Sequence, residues 1–408
     1  MAGLQTRLSI SMDTITHGIA GALIGKAMFR GEDMFSSQPV NRAGILTWSL
    51  MLGAIFPDSD VFRDFFSHDS LLILTWHRSI THSLLMLPFW ALLLAAITRA
   101  FCNWRKWEAP SFATLSLVYG VGIFSHIFLD LVTSFGTMIW SPLEWSRPAW
   151  DLIFIIDLTL SAILLIPQLL AWAYSQPEKM RRRVIALWVV FAPMPFLIAR
   201  MSENVGAPIS DRVVLIVIVV LTGIFLLPAR RNWGLKISYV TWNRAGFAAA
   251  LIYVALTFFA HRSALARIQK FADVYHLQVD AIGALPLPPS LWRWDGLVRT
   301  GHGVYELRMD VSEKPAGDSE LLEVEHRYYP DAPPNSYIEA AKRLPEVQKV
   351  LWFARFPVMR FHKEGDDAIV EISDVRFPRA RPGRPPSFTY RVRFGAGGNV
   401  VSQGWVTR

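Results

Sequence analysis

The sequence predicts a polytopic α-helical membrane protein with about eight apolar segments and a C-terminal soluble α+β domain. Of the 408 residues, 52% are apolar, with 16 Trp and 26 Phe, and the mean hydropathy is +0.30. This composition is too apolar for an ordinary soluble protein of this length. The apolar residues form separate runs up to about residue 260, after which the sequence becomes mixed and polar.

The apolar runs predict the number and length of the helices. Several are shorter than the ~20 residues that cross a bilayer, so we expect the first two to be short, tilted or partly re-entrant. The first should be retained rather than cleaved as a signal peptide, because His17 and Lys26 interrupt it and Gly18, Gly21 and Gly25 give it a small-residue face suited to close helix packing. The runs cover residues 14–29, 43–56, 80–98, 111–134, 152–174, 184–199, 213–228 and 245–260.

The charge of the chain fits a membrane protein better than a nucleic-acid-binding protein. The net charge is +8 and the pI is near 9.7, but Lys and Arg fall mainly in short loops between apolar runs, as membrane topology produces. We therefore expect no nucleic-acid partner. Cys102 is the only cysteine, which excludes an intrachain disulfide and a zinc site built from several thiolates.

Basic residues follow alternate apolar runs, and this pattern predicts the orientation of the protein in its membrane. The loops after the third, fifth and seventh runs should be cytoplasmic. The opposite loops, and after eight traversals the C-terminal domain, should lie outside the cytoplasm. The basic residues are Arg99, Arg105, Lys106, Lys179, Arg181, Arg182, Arg183, Arg230, Arg231, Lys236 and Arg244.

Four regions are expected along the chain: an N-terminal extension at 1–11, a first membrane domain at 12–174, additional transmembrane helices at 175–262 and an extracytoplasmic α+β domain at 263–408. In the last region, Pro286, Pro288 and Pro289 mark a break, and residues 336–349 have a helical pattern. Alternating apolar residues predict strands at 304–311, 321–328, 350–361, 368–377 and 388–394, with one more strand after the Gly-rich turn at 395–398.

Four polar clusters lie at the ends of apolar runs within the first 136 residues. They contain four histidines and three aspartates, which are side chains that metal ions prefer. Histidine and carboxylate are costly at membrane depth unless they are paired, hydrated or metal-bound, so we interpret the clusters as one metal site on the extracytoplasmic side. They are Thr16-His17, Pro57-Asp58-Ser59-Asp60, His77-Arg78-Ser79-Ile80-Thr81-His82 and His126-Ile127-Phe128-Leu129-Asp130.

Each cluster, taken singly, also has a simpler explanation. His126 and Asp130 are four residues apart and share one helix face, but an isolated pair of this kind is more often a buried hydrogen bond. Asp58 and Asp60 in isolation would usually be solvated loop acids. The planar fork of Arg78 suits a phosphate or carboxylate, and contact with lipid headgroups would explain it equally well.

Taken in order, the four motifs resemble those of the YdjM/YbcI-type membrane-bound, metal-dependent hydrolases, over roughly residues 12–170. A more distant similarity is to zinc-dependent phospholipase C and P1-type nucleases. The resemblance implies one to three divalent ions, Zn with Mn or Fe as alternatives. The later His-x-x-x-Glu pair of those enzymes is missing, and Asp151 and Asp157 could substitute for it. The ligands implied are His17, Asp58, Asp60, His82, His126, Asp130 and Asp157.

The resemblance implies a hydrolase of the bacterial cytoplasmic (inner) membrane, in which we assign His77, Arg78 and Asp60 to catalysis. The membrane setting favours a lipid-linked or amphipathic substrate that reaches the site by lateral diffusion. A phosphoester is the first choice of bond, with a carboxylic ester or amide second. The sequence lacks the motifs of serine hydrolases, zincins and P-loop ATPases. The alternatives are a metal-ion sensor or transporter and a non-catalytic membrane anchor for a partner.

Overall fold

The structure is a computed structural model that describes residues 2–29, 41–65, 67, 69–204, 209–314, 317, 321, 323–377 and 388–406. The side chains of residues 2–13, 64–65 and 202–204 lie outside that description. Residues 14–274 contain the helices of a membrane domain, and the rest forms a domain of two sheets. The predicted fold class is therefore confirmed.

The N-terminal part consists of helices joined by short loops. One continuous helix covers both the proposed extension and the first apolar run, so the backbone has no break at Met12. Three 3-10 segments, Phe56–Phe65, Ile80–His82 and Trp233–Lys236, lie between helices. The helices are α1 (Ala2–Met28), α2 (Arg42–Ile55), α3 (Leu72–Thr75), α4 (Leu87–Arg105), α5 (Phe112–Leu131), α6 (Leu158–Ala173), α7 (Pro177–Phe191), α8 (Met194–Asn204), α9 (Asp211–Arg230) and α10 (Tyr239–Val274).

Six stretches of the described chain are long and apolar enough to span a membrane. The shorter apolar helix α6 and the first apolar run in α1 are additional, so the number of spans roughly fits the eight apolar segments predicted. The third run starts later than predicted, because residues 80–86 form a 3-10 segment and a turn before α4. The six stretches are Arg42–Arg63, Leu87–Arg105, Phe112–Leu131, Pro177–Met201, Asp211–Arg230 and Tyr239–Val274.

Helix α2 is held between α1 and α5 by glycines that allow very close approach. A Cβ added at Gly21 of α1 would lie 2.6 Å from the Cβ of Ala54, and one added at Gly122 of α5 would lie 2.5 Å from the Leu50 carbonyl oxygen. A real Cβ atom could not occupy either position, so the helices can approach this closely only because neither residue carries a side chain. The small-residue face predicted on the first helix is thus used for helix packing.

The C-terminal domain contains two four-stranded antiparallel sheets, in the orders β1-β2-β3-β4 and β5-β6-β7-β8. Two short helices, α11 (Ser336–Lys342) and α12 (Pro345–Phe353), precede the second sheet. The strands are β1 (Ala281–Leu287), β2 (Arg293–Thr300), β3 (Gly303–Asp310), β4 (His326–Pro330), β5 (Pro357–Glu364), β6 (Asp367–Asp374), β7 (Thr389–Phe394) and β8 (Val400–Trp405).

Three details of the predicted secondary structure were wrong. Strands β1 and β2 were missed, because Pro286 was interpreted as a break although it lies within β1. The strand predicted at 350–361 begins only at Pro357, since α12 continues to Phe353. The helix predicted at 336–349 is divided in two, and Pro345 starts the second part. Part of the strand predicted at 321–328 lies outside the described residues.

The second sheet docks on the loops that follow α2 and α5. Leu71, Leu74 and Phe135 from those loops belong to the same apolar core as α12 and β6. Polar contacts add to this core: Arg376 donates to the Ser134 carbonyl at 3.0 Å, and the Trp405 indole donates to the Ser70 carbonyl at 2.9 Å. The C-terminal domain therefore covers the end of the helical bundle where the predicted polar clusters lie.

The packing of α5 on α2 predicts that alanine substitution lowers the stability of the protein at one glycine of α5 and not at a second one nearby. Gly122→Ala should cost about 1–3 kcal/mol of stability, because its Cβ would press on backbone atoms that cannot rotate away. Gly120→Ala on the same helix is the matched control, since its Cβ would meet only side-chain atoms at 3.7 Å or more. Thermal unfolding in detergent measures both. Equal melting temperatures for the two variants would contradict the close contact.

Candidate metal centre

Helices α2 and α5 bring Asp58 and His126 to the same place. His126 lies one turn after Gly122, and Asp58 lies one turn after Ala54, so the close helix contact continues directly into the polar residues. The Nδ1 atom of His126 is 2.6 Å from the Ala54 carbonyl oxygen. A carbonyl only accepts hydrogen bonds, so Nδ1 carries the proton and Nε2 has its lone pair free to bind a cation.

Helix α1 adds His17 to this pair. His17 lies one turn before Gly21, and its ring stacks on the ring of His126 with centroids 3.7 Å apart. Its Nε2 atom is 3.3 Å from Oδ1 of Asp130. The close contact of α1 with α2 therefore places His17 beside the α5 residues rather than in lipid.

The loop before α4 contributes His82, at the end of the 3-10 turn Ile80–His82. Both backbone polar groups of Arg78 are hydrogen-bonded at the start of this turn: its N–H donates to the Asp60 carboxylate at 2.9 Å, and its carbonyl accepts from the Met138 N–H at 2.9 Å. Arg78 has φ +62°, a left-handed conformation that is costly for a non-glycine residue. These bonds stabilise that conformation and direct His82 inward.

Four candidate ligand atoms lie close together, each nitrogen within 3.7 Å of each oxygen: Nε2 of His82, Nε2 of His126, Oδ1 of Asp58 and Oδ2 of Asp130. The two nitrogens are 3.0 Å apart. The four nitrogen–oxygen distances are 3.7, 3.2, 3.4 and 3.5 Å. Ligand atoms of a tetrahedral ion with bonds of 2.0–2.1 Å are separated by about 3.3 Å, so the set has the spacing of a metal site.

The protonation of His82 also favours a cation at this point. Its Nδ1 lies 3.5 Å from Asp60 Oδ2 and 3.0 Å from the Thr81 hydroxyl. Both oxygens can accept a proton carried on Nδ1, and in that tautomer the Nε2 lone pair faces the centre. Burial lowers the pKa of His82, but Asp130 and Asp58 together raise it overall. Two imidazole lone pairs and two carboxylates would repel one another in a dry interior, and a positive charge between them removes that cost.

The five side chains of the centre are almost completely buried. Two groups among the described residues have the spacing to hold a metal, and both include His126. One consists of His17, Asp58 and His126, and the other of His82, His126 and Asp130. Because His126 is shared, the residues form a single connected ligand set. The exposed fractions are His17 1%, Asp58 7%, His82 0%, His126 0% and Asp130 0%.

Asp60 lies beside the centre and faces different atoms. Its Oδ1 is 3.1 Å from Nδ1 of His77, and its Oδ2 accepts the Arg78 N–H. Asp60 thus orients His77, His82 and the backbone of the turn, as carboxylates behind metal-binding histidines commonly do. This geometry fits the catalytic assignment of Asp60 better than its assignment as a ligand.

Two arginines support the loops around the centre. The guanidinium of Arg78 contacts Asp130 at 2.9 Å and donates to Thr133 at 3.0 Å. Arg147 was not singled out as a site residue, although it is the lone basic residue of its loop. It donates to the carbonyl oxygens of Leu74, His77 and Gly136, so it ties the His77 loop to the loop after α5.

Asp157 and Asp151 are engaged elsewhere, and this changes their predicted roles. Oδ1 of Asp157 caps α6 by accepting the Thr159 and Leu160 N–H groups, and Oδ2 accepts the hydroxyls of Tyr253 and Ser290. Asp151 forms a two-point ion pair with Arg355, at 2.9 and 2.7 Å. Both acids therefore fix the structure, and the centre is built without them from the described residues.

Comparison with known proteins supports the family resemblance. Residues 12–206 match the family model described as YdjM inner membrane protein. This stretch contains every residue of the centre. No curated protein matches the chain, and no solved structure matches it. The chain is thus a membrane protein with a YdjM-like N-terminal half and His and Asp groups that could bind a metal.

The ligand set predicts which substitutions remove metal from the purified protein. His126→Ala and Asp58→Ala should each lower the bound divalent metal to background, because His126 belongs to both candidate groups and Asp58 is a donor of the central set. Asp157→Asn should retain the wild-type metal content, since its oxygens are already used. Elemental analysis by mass spectrometry measures all three. Wild-type metal content in His126→Ala would refute the ligand assignment.

Proposed function

Since residues 12–206 match the YdjM inner membrane protein family, we propose that the protein is a membrane-bound, metal-dependent hydrolase. Its substrate would be lipid-linked or amphipathic, and the bond a phosphoester or, as second choice, a carboxylic ester. The observation that carries the proposal is the meeting of two imidazole Nε2 atoms and two carboxylates, beside a separate His–Asp pair. Zn is the first choice of metal, with Mn or Fe as alternatives, and one to three ions are expected.

The ligand residues would fix a cation at the end of the helical bundle. His82, His126, Asp58 and Asp130 supply neutral nitrogens and anionic oxygens, a set that suits Zn, Mn or Fe. A divalent ion bound there supplies Lewis acidity toward a phosphoryl or acyl oxygen and makes water more acidic. Arg78 contacts Oδ1 of Asp130, the oxygen that does not face His82, and offsets the negative charge of this carboxylate.

The pair of His77 and Asp60 would transfer the proton. Asp60 accepts the Nδ1 proton of His77, which fixes the tautomer and leaves the lone pair on Nε2. That Nε2 makes no hydrogen bond to any described residue. A His oriented by a carboxylate, next to a metal centre, is suited to take a proton from water and return it to the leaving group.

The charge around the centre favours an anionic substrate. Burial, together with the nearby positive charges of Arg78 and Arg376, lowers the pKa of Arg147 to about 9. The guanidinium of Arg147 donates to backbone carbonyls, whereas Arg78 and Arg376 face Asp130 and Asp374. Among the described residues Arg147 forms no ion pair with a carboxylate, so its positive charge is available to an incoming phosphate, which supports a phosphoester over a neutral ester.

The distribution of ligands argues for hydrolysis over ion transport. A transport path would place polar ligands at several depths along the helices. The His and Asp side chains of this chain instead converge at one end of α2 and α5, under the C-terminal domain.

The proposal predicts distinct kinetic effects for the proton-transfer pair and the ligands. His77→Gln should lower kcat for a phosphoester by about 10²–10⁴-fold, while the bound metal stays near the wild-type level. Asp60→Asn should lower kcat as well and also weaken metal binding, because Asp60 orients the ligand His82. His126→Gln should lose both metal and activity. The assay uses bis(p-nitrophenyl) phosphate and phosphatidic acid in detergent, with metal removed by a chelator and then restored. A wild-type kcat in His77→Gln would contradict the assigned role. A metal-loaded wild-type protein that cleaves no ester would contradict the hydrolase proposal itself.

A further inference from the structure

A groove of about 300 Å³ runs along α1 between α2 and α6. Its walls are apolar, and one side is open where the helices would face lipid. The volume is at the lower end of the ~300–1,000 Å³ found for small-molecule sites. Its size and apolar lining suit one hydrocarbon chain lying along α1. The lining residues include Ile15, Ile19, Ala22, Met51, Ile55 and Leu165.

Thr14 links the wall of the groove to the metal centre. Thr14 lines the groove and donates a hydrogen bond to Oδ2 of Asp58 at 2.5 Å. The other oxygen of Asp58 is the one that faces His82 and His126. If a molecule lies in the groove with its polar end at Thr14, the Asp58 carboxylate separates that end from Nε2 of His82 and Nε2 of His126.

The absence of a side chain at Gly18 keeps this groove open. Gly18 lines the groove, and a Cβ at this position would lie 3.0 Å from Cδ1 of Ile55 on the opposite wall. Any larger side chain would therefore narrow the passage between α1 and α2. On the same helix, Gly21 allows direct contact with α2. Adjacent turns of α1 therefore have different roles: the turn at Gly21 packs against α2, and the turn at Gly18 leaves the groove open.

The C-terminal domain covers the centre on the side away from the helices. Arg376 and Trp405 bind the carbonyls of Ser134 and Ser70, and the pair of Arg355 and Asp151 adds a further contact. The loops beneath these contacts carry His77 and His82. Because this end is covered, the groove offers a lateral approach from the membrane.

We propose that this groove holds the single hydrocarbon chain of the substrate, an acyl or isoprenoid chain that bears an anionic phosphoryl headgroup. The inference rests on the proposed function and specifies the substrate of that same site. Lipid tails already surround the helices, so burial in the groove adds little hydrophobic free energy. The groove contributes alignment instead, and holds the headgroup next to Asp58.

A photo-crosslinking experiment tests the groove without relying on catalysis. The probe is hexadecyl phosphate with a diazirine on its chain, added at substoichiometric amounts to the full-length protein in detergent. We expect labelled peptides to contain Ile15, Ile19 or Met51, and unlabelled hexadecyl phosphate to compete where butyl phosphate does not. Ala22→Leu, which fills the groove, should reduce this labelling about tenfold. Ala249→Leu, the same change at an exposed position of α10, should leave it as in wild type.

The outcomes separate the two proposals. Uniform labelling of the apolar helices, or equal labelling in Ala22→Leu and wild type, would overturn the proposal that the groove binds the hydrocarbon chain. If Ala22→Leu does not fold, the competition between hexadecyl and butyl phosphate on the wild-type protein decides, and equal competition overturns the proposal. Groove labelling in a protein that hydrolyses nothing would support chain binding while the hydrolase proposal fails. Hydrolysis with equal kcat/KM for long and short alkyl esters would support the hydrolase and overturn the groove.

Discussion

The close packing of α1 and α5 on the two sides of α2 is the constraint on which the rest of the structure depends. Gly21 and Gly122 allow both helices to approach the backbone near Ala54. The turn before Gly21 carries His17, and the turn after Gly122 carries His126. The stacked rings of His17 and His126, and the bond from His126 to the Ala54 carbonyl, follow directly from this approach. If the helices were farther apart, His17 and His126 would lie in an apolar environment without these partners.

The same packing explains how acids and imidazoles are tolerated in an apolar bundle. Asp130 is compensated by Arg78, and Asp60 by the histidine and backbone N–H groups around it. Two donor nitrogens, those of His82 and His126, still face each other across 3.0 Å with carboxylates beside them. A cation between them would balance the charges, so the bundle and the loops bring together His and Asp groups that could bind a metal ion.

Much of this could be predicted from the sequence, because hydropathy fixes where helices run and side-chain chemistry fixes what binds metal. His126 and Asp130 were predicted to share a helix face, and both now lie in one candidate ligand group. The role of Asp157 could not be predicted, since its hydroxyl partners Tyr253 and Ser290 are far away in the chain. The division of labour between Asp58 and Asp60 also depends on which ring nitrogen each one faces, and motif spacing does not carry that information. Pro286 misled the strand prediction because a proline is tolerated in an edge strand, and β1 is at the edge of its sheet.

X-ray absorption spectroscopy on the purified, zinc-loaded protein tests the central claim most directly. Coordination by His82, His126, Asp58 and Asp130 predicts a first shell of nitrogen and oxygen atoms at ~2.0–2.2 Å, with the outer-shell scattering of two imidazoles. Replacing His82 with Gln should remove the scattering of one imidazole. A zinc-loaded sample with a shell of water oxygens alone, and no imidazole signal, would contradict the metal centre.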